Sequence, residues 1–310
     1  MSAGDVKGRF RFMIGELVLG TWRPRLRRIV DAQGTGRPGD AEIGAALAAC
    51  ESNGIWFSQV SAERFPVGVA REAHWIRYVP RIERLYYIKL AGTFEDYLAR
   101  RSSKSRYNLK RAIRLLQAAN SGPILELFTR PEDMPRFHRA AVGISRQTYQ
   151  TKVLQTGLPD TPECLAGLVA AASRGEVRGY LLRDQGEAIA FAACTAHGRR
   201  ITYDVIGYLP ERASSSPGTV LLTLIVQNLL ELGCYEMFDF GVGESFYKSA
   251  FATDYVDYED AYFFRPSLGN GLLVRGHWWL EKFSSGVGAW LERKGMKKRI
   301  KSWLRRLHGA

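Results

Sequence analysis

The chain has 310 residues, 46% of them hydrophobic and 24% charged, with a net charge of +13. This is an ordinary globular composition, long enough for a full core and one or two domains. There is no run of about 18 apolar residues, which argues against a membrane-crossing helix, and Met1–Arg11 lacks the apolar stretch of a signal peptide.

In chain order, Phe10 to Gly20 and Arg23 to Val30 read as an opening pair of strands. Residues 33–40 read as a glycine-rich loop that ends at Asp40, the predicted cap of a helix through Glu51. Ile55 to Val60 and Leu85 to Leu90 have strand character, with an irregular segment between them. Thr93 and Asp96 form a capping pair that opens one long predicted helix reaching Ala119. A short strand at Pro123–Phe128 precedes helices at Glu132–Tyr149 and Glu163–Arg174. Val177 to Arg183, Ala188 to Ala196 and Ile201 to Gly207 are separated by the tight turns Asp184-Gln185-Gly186 and His197-Gly198-Arg199, the signature of a three-stranded antiparallel meander. A helix at Gly218–Leu232, a strand at Tyr235–Phe240, a short helix around Tyr247 and a strand at Tyr255–Phe264 follow.

Cys50, Cys164, Cys194 and Cys234 stand far apart in unlike contexts, and the five histidines are scattered. Neither a disulfide framework nor a metal site is expected, and a reducing cytoplasm is the simplest setting.

The positive charge belongs to two segments. Arg100, Arg101, Lys104, Arg106, Lys110, Arg111 and Arg114 come without an acid among them, and Arg275 to Arg306 holds ten bases against Glu281 and Glu292. Like charges crowded on one helix repel, so Lys104, Arg106, Lys110 and Arg111 are candidate anion-binding residues, with Lys248 a further candidate for a substrate carboxylate or phosphate. The second segment interleaves its bases with Trp278, Trp279, Phe283, Trp290 and Trp303. That pattern suits either an anionic membrane surface at residues 272–310 or a terminal helix docked on the protein's own core.

The chemistry concentrates around Ser216-Pro217-Gly218-Thr219. A bend that opens a helix leaves its first amides without carbonyl partners, and those amides with the helix dipole receive phosphate oxygens. Gly218, Thr219 and Val220 would supply the amides, with Ser216 and Pro217 fixing the approach. Asp239, Asp204 and Glu244 are candidate bases and Tyr247 a candidate acid, able to manage the protons of a group transfer. Asp239 as a turn cap, Asp204 in an ion pair and Tyr247 as a packing residue are the structural alternatives.

Three segments together carry a family likeness: Ser102-Ser103-Lys104-Ser105-Arg106-Tyr107-Asn108-Leu109-Lys110-Arg111, Ser216-Pro217-Gly218, and Asp239-Phe240-Gly241 followed by Tyr247-Lys248. Over residues 90 to 265 the chain resembles the GNAT superfamily, in particular its BioF2-like or CelD-type polysaccharide-associated branch, related to the FemAB aminoacyl transferases. The resemblance implies an α/β acyl-CoA N-acyltransferase fold with a mixed central sheet flanked by helices. It also implies acetyl-CoA or another acyl-CoA as cosubstrate, and Tyr247 protonating the departing thiolate. The expected acceptor is an amine, or a hydroxyl, of a nucleotide- or lipid-linked sugar in polysaccharide or envelope synthesis, on the cytoplasmic side of the membrane. The expected organisation is an N-terminal α/β region at 1–90, for which the FemAB relationship suggests a degenerate GNAT-like half, a core at 91–268 and a basic tail at 269–310. The chain departs from the superfamily's multi-glycine pyrophosphate signature. That departure keeps open a FemAB-like transferase using aminoacyl-tRNA, and a non-catalytic scaffold at the membrane periphery is a separate alternative.

Overall fold

The computed structural model describes residues 2–14, 17–30, 38–62, 64–147, 157–241, 243 and 245–293. The chain divides into two compact units, Met1–Arg84 with Val256–Ala310, and Leu85–Tyr255. Both are α/β, with mixed sheets.

The first unit begins with β1 (Ser2–Lys7), β2 (Phe10–Ile14), β3 (Leu17–Trp22) and β4 (Arg25–Val30). The single strand expected over Phe10–Gly20 is a hairpin: β2 and β3 pair antiparallel with a register shift after Phe12. α1 (Asp40–Ala48) is capped by Gly39 instead of Asp40, and the Glu42 carboxylate accepts the Gly39 N–H at 2.9 Å. This helix forms the crossover from β4 to the parallel strand β5 (Gly54–Ser61). The segment read as irregular contains a second hairpin, β6 (Gly68–Arg71) and β7 (Ile76–Val79). All four residues of β7 are buried, so no alternation of apolar and polar side chains marks it.

β8 (Ile82–Lys89) leads into the second unit. There the single helix expected from Thr93 to Ala119 is two helices, α2 (Phe94–Ala99) and α3 (Ser103–Ala118). Thr93 and Asp96 form the expected capping box, whereas Ser102 caps a new start by accepting the Ser105 N–H at 3.3 Å. The break is held by Arg106, whose guanidinium donates to the carbonyls of Ala99 and Arg101, both at 3.1 Å. It thereby satisfies acceptors that a helix end leaves open. β9 (Leu125–Phe128), α4 (Met134–Ser145) and α5 (Pro162–Ser173) precede the meander β10 (Val177–Asp184), β11 (Glu187–His197) and β12 (Arg200–Tyr208), which forms where expected. α6 (Pro217–Leu232), β13 (Met237–Asp239) and α7 (Phe246–Phe251) follow. β14 (Asp254–Phe264) and α8 (Leu268–Arg293) return the chain to the first unit.

In the first unit β5 pairs with β14 and β14 with β7, and α8 packs beside the β2–β3 hairpin. The cores gather Ile43, Phe57, Phe65 and Phe263 in one cluster, and Phe10, Leu26, Tyr78, Phe264 and Val274 in another. The sheet of the second unit runs β8, β13, β12, β11, β10, β9, with β12 and β13 its one parallel pair. Helices cover both faces. At Gly179 the ring of Phe137 on α4 comes within 2.8 Å of where a Cβ would stand, while the next residue, Tyr180, donates its hydroxyl to Asn228 on α6 at 3.2 Å.

Candidate active site

β12 and β13 pair through only three residues, Arg200 to Thr202 against Met237 to Asp239. β13 then stops, while β12 continues to Tyr208, so the two strands part beyond Thr202. The register between β11 and β12 slips at the same point: Ala193 faces Val205 and Cys194 faces Tyr203, leaving Asp204 as the extra residue of a β-bulge. A bulge frees backbone groups from the ladder and re-aims the side chain. The Asp204 carboxylate turns to accept the Thr195 N–H at 2.9 Å. Desolvation raises its pKa, with the nearby Asp239 adding to the rise and the Thr195 bond opposing it.

The stretch of β12 from Tyr203 to Tyr208, with Phe191 of β11, forms one wall of a cavity of about 290 Å³, closed by the α6 N-terminus and by Tyr247 and Phe251 of α7. Tyr203 and Tyr247 both meet the Phe240 ring edge-on, at centroid distances of 6.1 and 6.0 Å. Tyr247 is half-buried, and that burial raises its phenol pKa, keeping the proton on at neutral pH. Tyr203 is more deeply enclosed, and its pKa is raised further by burial.

The α6 N-terminus differs from the expectation in one respect. Ser216 adopts a left-handed conformation, φ 52°, uncommon for a residue with a side chain. Its carbonyl accepts the N–H groups of both Thr219 (3.0 Å) and Val220 (3.1 Å). Of the three amides expected to face a phosphate, those two are thus already bonded, and Pro217 has none to give. Gly218 is the residue of the bend whose N–H has no partner among the described residues. A Cβ at Gly218 would stand 3.5 Å from the Tyr208 ring, so the backbone there lies close beneath that side chain.

Ser216, Pro217 and Thr219 also border a larger groove of about 740 Å³. Its opposite wall is α3, through Lys104, Ser105, Asn108 and Arg111, with Arg101 and Ser102 at the helix start. Ion-pair partners for Lys104 and Arg111 are absent among the described residues. Arg101, not expected as a site residue, lies 4.0 Å over the Phe251 ring and donates to the Tyr97 hydroxyl at 3.1 Å. Asp184 is the acid of the groove, and Arg212 pairs with it at 3.2 Å.

The other candidates are placed differently. Arg106 is committed to the α2–α3 break, and Lys110 pairs with Glu95 at 3.1 Å. Lys248 is buried and donates to the Gly241 carbonyl at 3.1 Å, away from both cavity linings. Asp239 is 1% exposed; its Oδ1 accepts the Gly241 N–H at 2.7 Å and its Oδ2 accepts from the Arg200 guanidinium. Both oxygens therefore hold the strand end and the following turn, where Gly241 takes φ 67°. Glu244 lies outside the described residues, as does Val242. Among the described residues no group of three or more His, Cys, Asp or Glu side chains could hold a metal ion. The lining residues missed from sequence, Arg101, Tyr203 and Tyr208, carry no spacing signal of their own. Their roles arise from the helix break and from the parting of the strands.

Residues 103–249 match the family described as an acetyltransferase (GNAT) domain. Among solved structures, FemX is similar over 88% of this chain and 91% of its own, at 10% identity and a TM-score of 0.53. The C-terminal DUF2156 domain of a candidate lysylphosphatidylglycerol synthetase from Agrobacterium fabrum aligns over 77% of this chain and 80% of its own, at 16% identity and a TM-score of 0.48. The corresponding values for L-PGS from Bacillus licheniformis are 83%, 85%, 13% and 0.45. No curated protein matches the chain. The matched segment runs from the α3 start through the bend to α7, and over those residues the chain is similar to an acetyltransferase (GNAT) domain.

Proposed function

We propose that the second unit transfers an acyl group, acetyl foremost, from acyl-CoA to an amine, with a sugar hydroxyl as the other acceptor. The observation that carries this reading is the shared wall: one bend, Ser216 to Thr219, borders both the basic groove and the tyrosine-lined cavity. A CoA thioester needs such a pair of compartments, a cationic one for its phosphates and a narrower, less polar one for the arm that ends at the reacting carbonyl. Lys104, Arg111 and Arg101 supply the cations, and the Gly218 N–H with the positive end of α6 meets the pyrophosphate.

In the reaction the amine attacks the thioester carbonyl, the C–S bond breaks, and the Tyr247 hydroxyl gives its proton to the departing sulfur. A phenol of ordinary pKa near 10 is a weak acid toward a thiolate near 8.5, so the transfer succeeds as charge develops on sulfur in a desolvated place. Asp204 takes the proton of the amine, directly or through one water. Asp239, with both oxygens engaged, keeps the β13 end in place. The acceptor class inferred from the family resemblance is a sugar of a polysaccharide or envelope precursor, handled at the cytoplasmic face.

A second reading, transfer of an amino acid from aminoacyl-tRNA, is favoured by the FemX-like fold and by the cations of α3. Thermal shift on the full chain with acetyl-CoA, longer acyl-CoAs and tRNA in parallel separates the two, because ligand binding to the native state raises its midpoint. Stabilisation by acyl-CoA, with thiol release on adding amine acceptors, supports the first reading. Stabilisation by tRNA alone, steeply lost with salt, moves the assignment to the second. No response to either overturns both.

A further inference from the structure

α8 carries two apolar faces. One is buried within its own unit: Val274 and His277 are covered, Trp278 lies 3.7 Å from the Cβ position of Gly68, and His277 Nδ1 meets the Tyr78 hydroxyl at 2.6 Å. The other is open to solvent. Leu268 is 87% exposed, Leu272 73%, Trp279 66% and Phe283 60%. At about 100° of rotation per residue these four fall within about 60° of one another, a continuous stripe on the side away from Val274 and His277. A helix whose only task was to cap its own core would be polar there.

We propose that this stripe is the surface by which the protein docks on an anionic lipid bilayer, with α8 lying in the plane of the interface. Three observations select that occupant. Arg275 is exposed and falls on the stripe between Leu272 and Trp279, and the sequence from there to Arg306 carries ten bases against two acids. Of those acids, Glu281 lies on the docked side, 3.7 Å from Arg81. The stripe thus joins aromatic and aliphatic side chains to positive charge, the combination that places a helix about 5–10 Å into the headgroup boundary. A second copy of the chain on the same stripe would bring two strongly basic segments together, which their repulsion opposes. No described helix is long and apolar enough to cross a membrane, so the stripe rests on the bilayer and does not span it. This inference is independent of acyl transfer.

The test is flotation of the full chain with vesicles of phosphatidylcholine alone and with phosphatidylglycerol added. Wild type should bind the anionic vesicles and release in high salt. Trp279→Ser with Phe283→Ser should weaken partitioning by about tenfold or more, and Arg275→Glu by about fivefold. Leu268→Ser with Leu272→Ser, about two to three turns before Trp279, provides an independent pair should the first fold poorly, as judged by its thermal midpoint. The proposal is overturned if wild type ignores anionic vesicles at low salt, or if both serine pairs bind as wild type does. It is also overturned if wild type is a dimer that the serine pairs split and no vesicle binding is seen.

Discussion

The two segments that hold the chain's excess positive charge use it in different ways. On α3 the bases are divided. Arg106 closes a backbone break, Lys110 meets Glu95, and Lys104 and Arg111 are left to line a groove beneath the α6 N-terminus. On α8, by contrast, Arg275 stands among exposed apolar side chains on a helix whose opposite side is buried. A run of cations in sequence is therefore no single signal. Its meaning depends on what covers the neighbouring residues: a concave wall with hydroxyls and a helix dipole in one case, a convex stripe of Trp, Phe and Leu in the other.

If the α3 charges serve a reaction, the largest effect should appear at the far end of the adjoining cavity. Tyr247→Phe is expected to lower kcat for acyl transfer by about 10²-fold or more while leaving acyl-CoA binding unchanged, since it removes the proton donor and keeps the ring against Phe240. Thiol release under saturating acyl-CoA, with calorimetry for affinity, measures both. An unchanged kcat would leave the groove a binding site without chemistry.

The pH profile tests the two proposed proton carriers, Tyr247 in the cavity wall and Asp204 on the β12 bulge outside the lining. Burial disfavours the charged form of each group, so Asp204 and Tyr247 are both displaced upward from 3.8 and 10.0. Activity that needs an ionised Asp204 rises with pH through an acid limb above 3.8, and activity that needs a protonated Tyr247 falls through an alkaline limb above 10. Asp204→Asn should remove the acid limb and lower kcat by about 10²-fold.

Next comes the division of labour within α3. Lys104→Glu with Arg111→Glu is expected to weaken acyl-CoA binding by about tenfold to a hundredfold, because it replaces charge-assisted contacts with repulsion. Vesicle binding should be untouched. Loss of vesicle binding in that double variant would erase the contrast between the two basic segments.

Much of this organisation was legible in the letters, and the gaps have physical causes. The meander is readable because Gln185-Gly186 and Gly198 punctuate strict strands, and the bend because Pro217 and Gly218 have few uses in mid-chain. The α2–α3 break was missed because Ser102 can cap a helix or sit within one, and Arg106, which decides the matter, acts through carbonyls that carry no sequence identity. The β6–β7 hairpin was missed because β7 is buried on both faces, which removes its period-two pattern. At the bend, the type of site was readable but its hydrogen bonds were not. Ser216 reaches φ 52°, and its carbonyl takes up two of the three amides.

The smallest effects should come from the α3 bases that face neither cavity. Arg106→Ala removes donors from the Ala99 and Arg101 carbonyls and should cost about 1–2 kcal/mol, a thermal midpoint lower by a few degrees, with acyl-CoA affinity retained. Lys110→Ala breaks a pair whose side chains are 49% and 72% exposed, and exposed pairs contribute about 0–1 kcal/mol. Stability and affinity should both stay near wild type. A tenfold loss of acyl-CoA binding in Lys110→Ala would mean that the helix acts through its summed field. A loss confined to Lys104 and Arg111 would mean that it acts through the two cations turned into the groove. These two single changes, compared with the Lys104/Arg111 pair, therefore decide whether net charge or local geometry explains the basic helix.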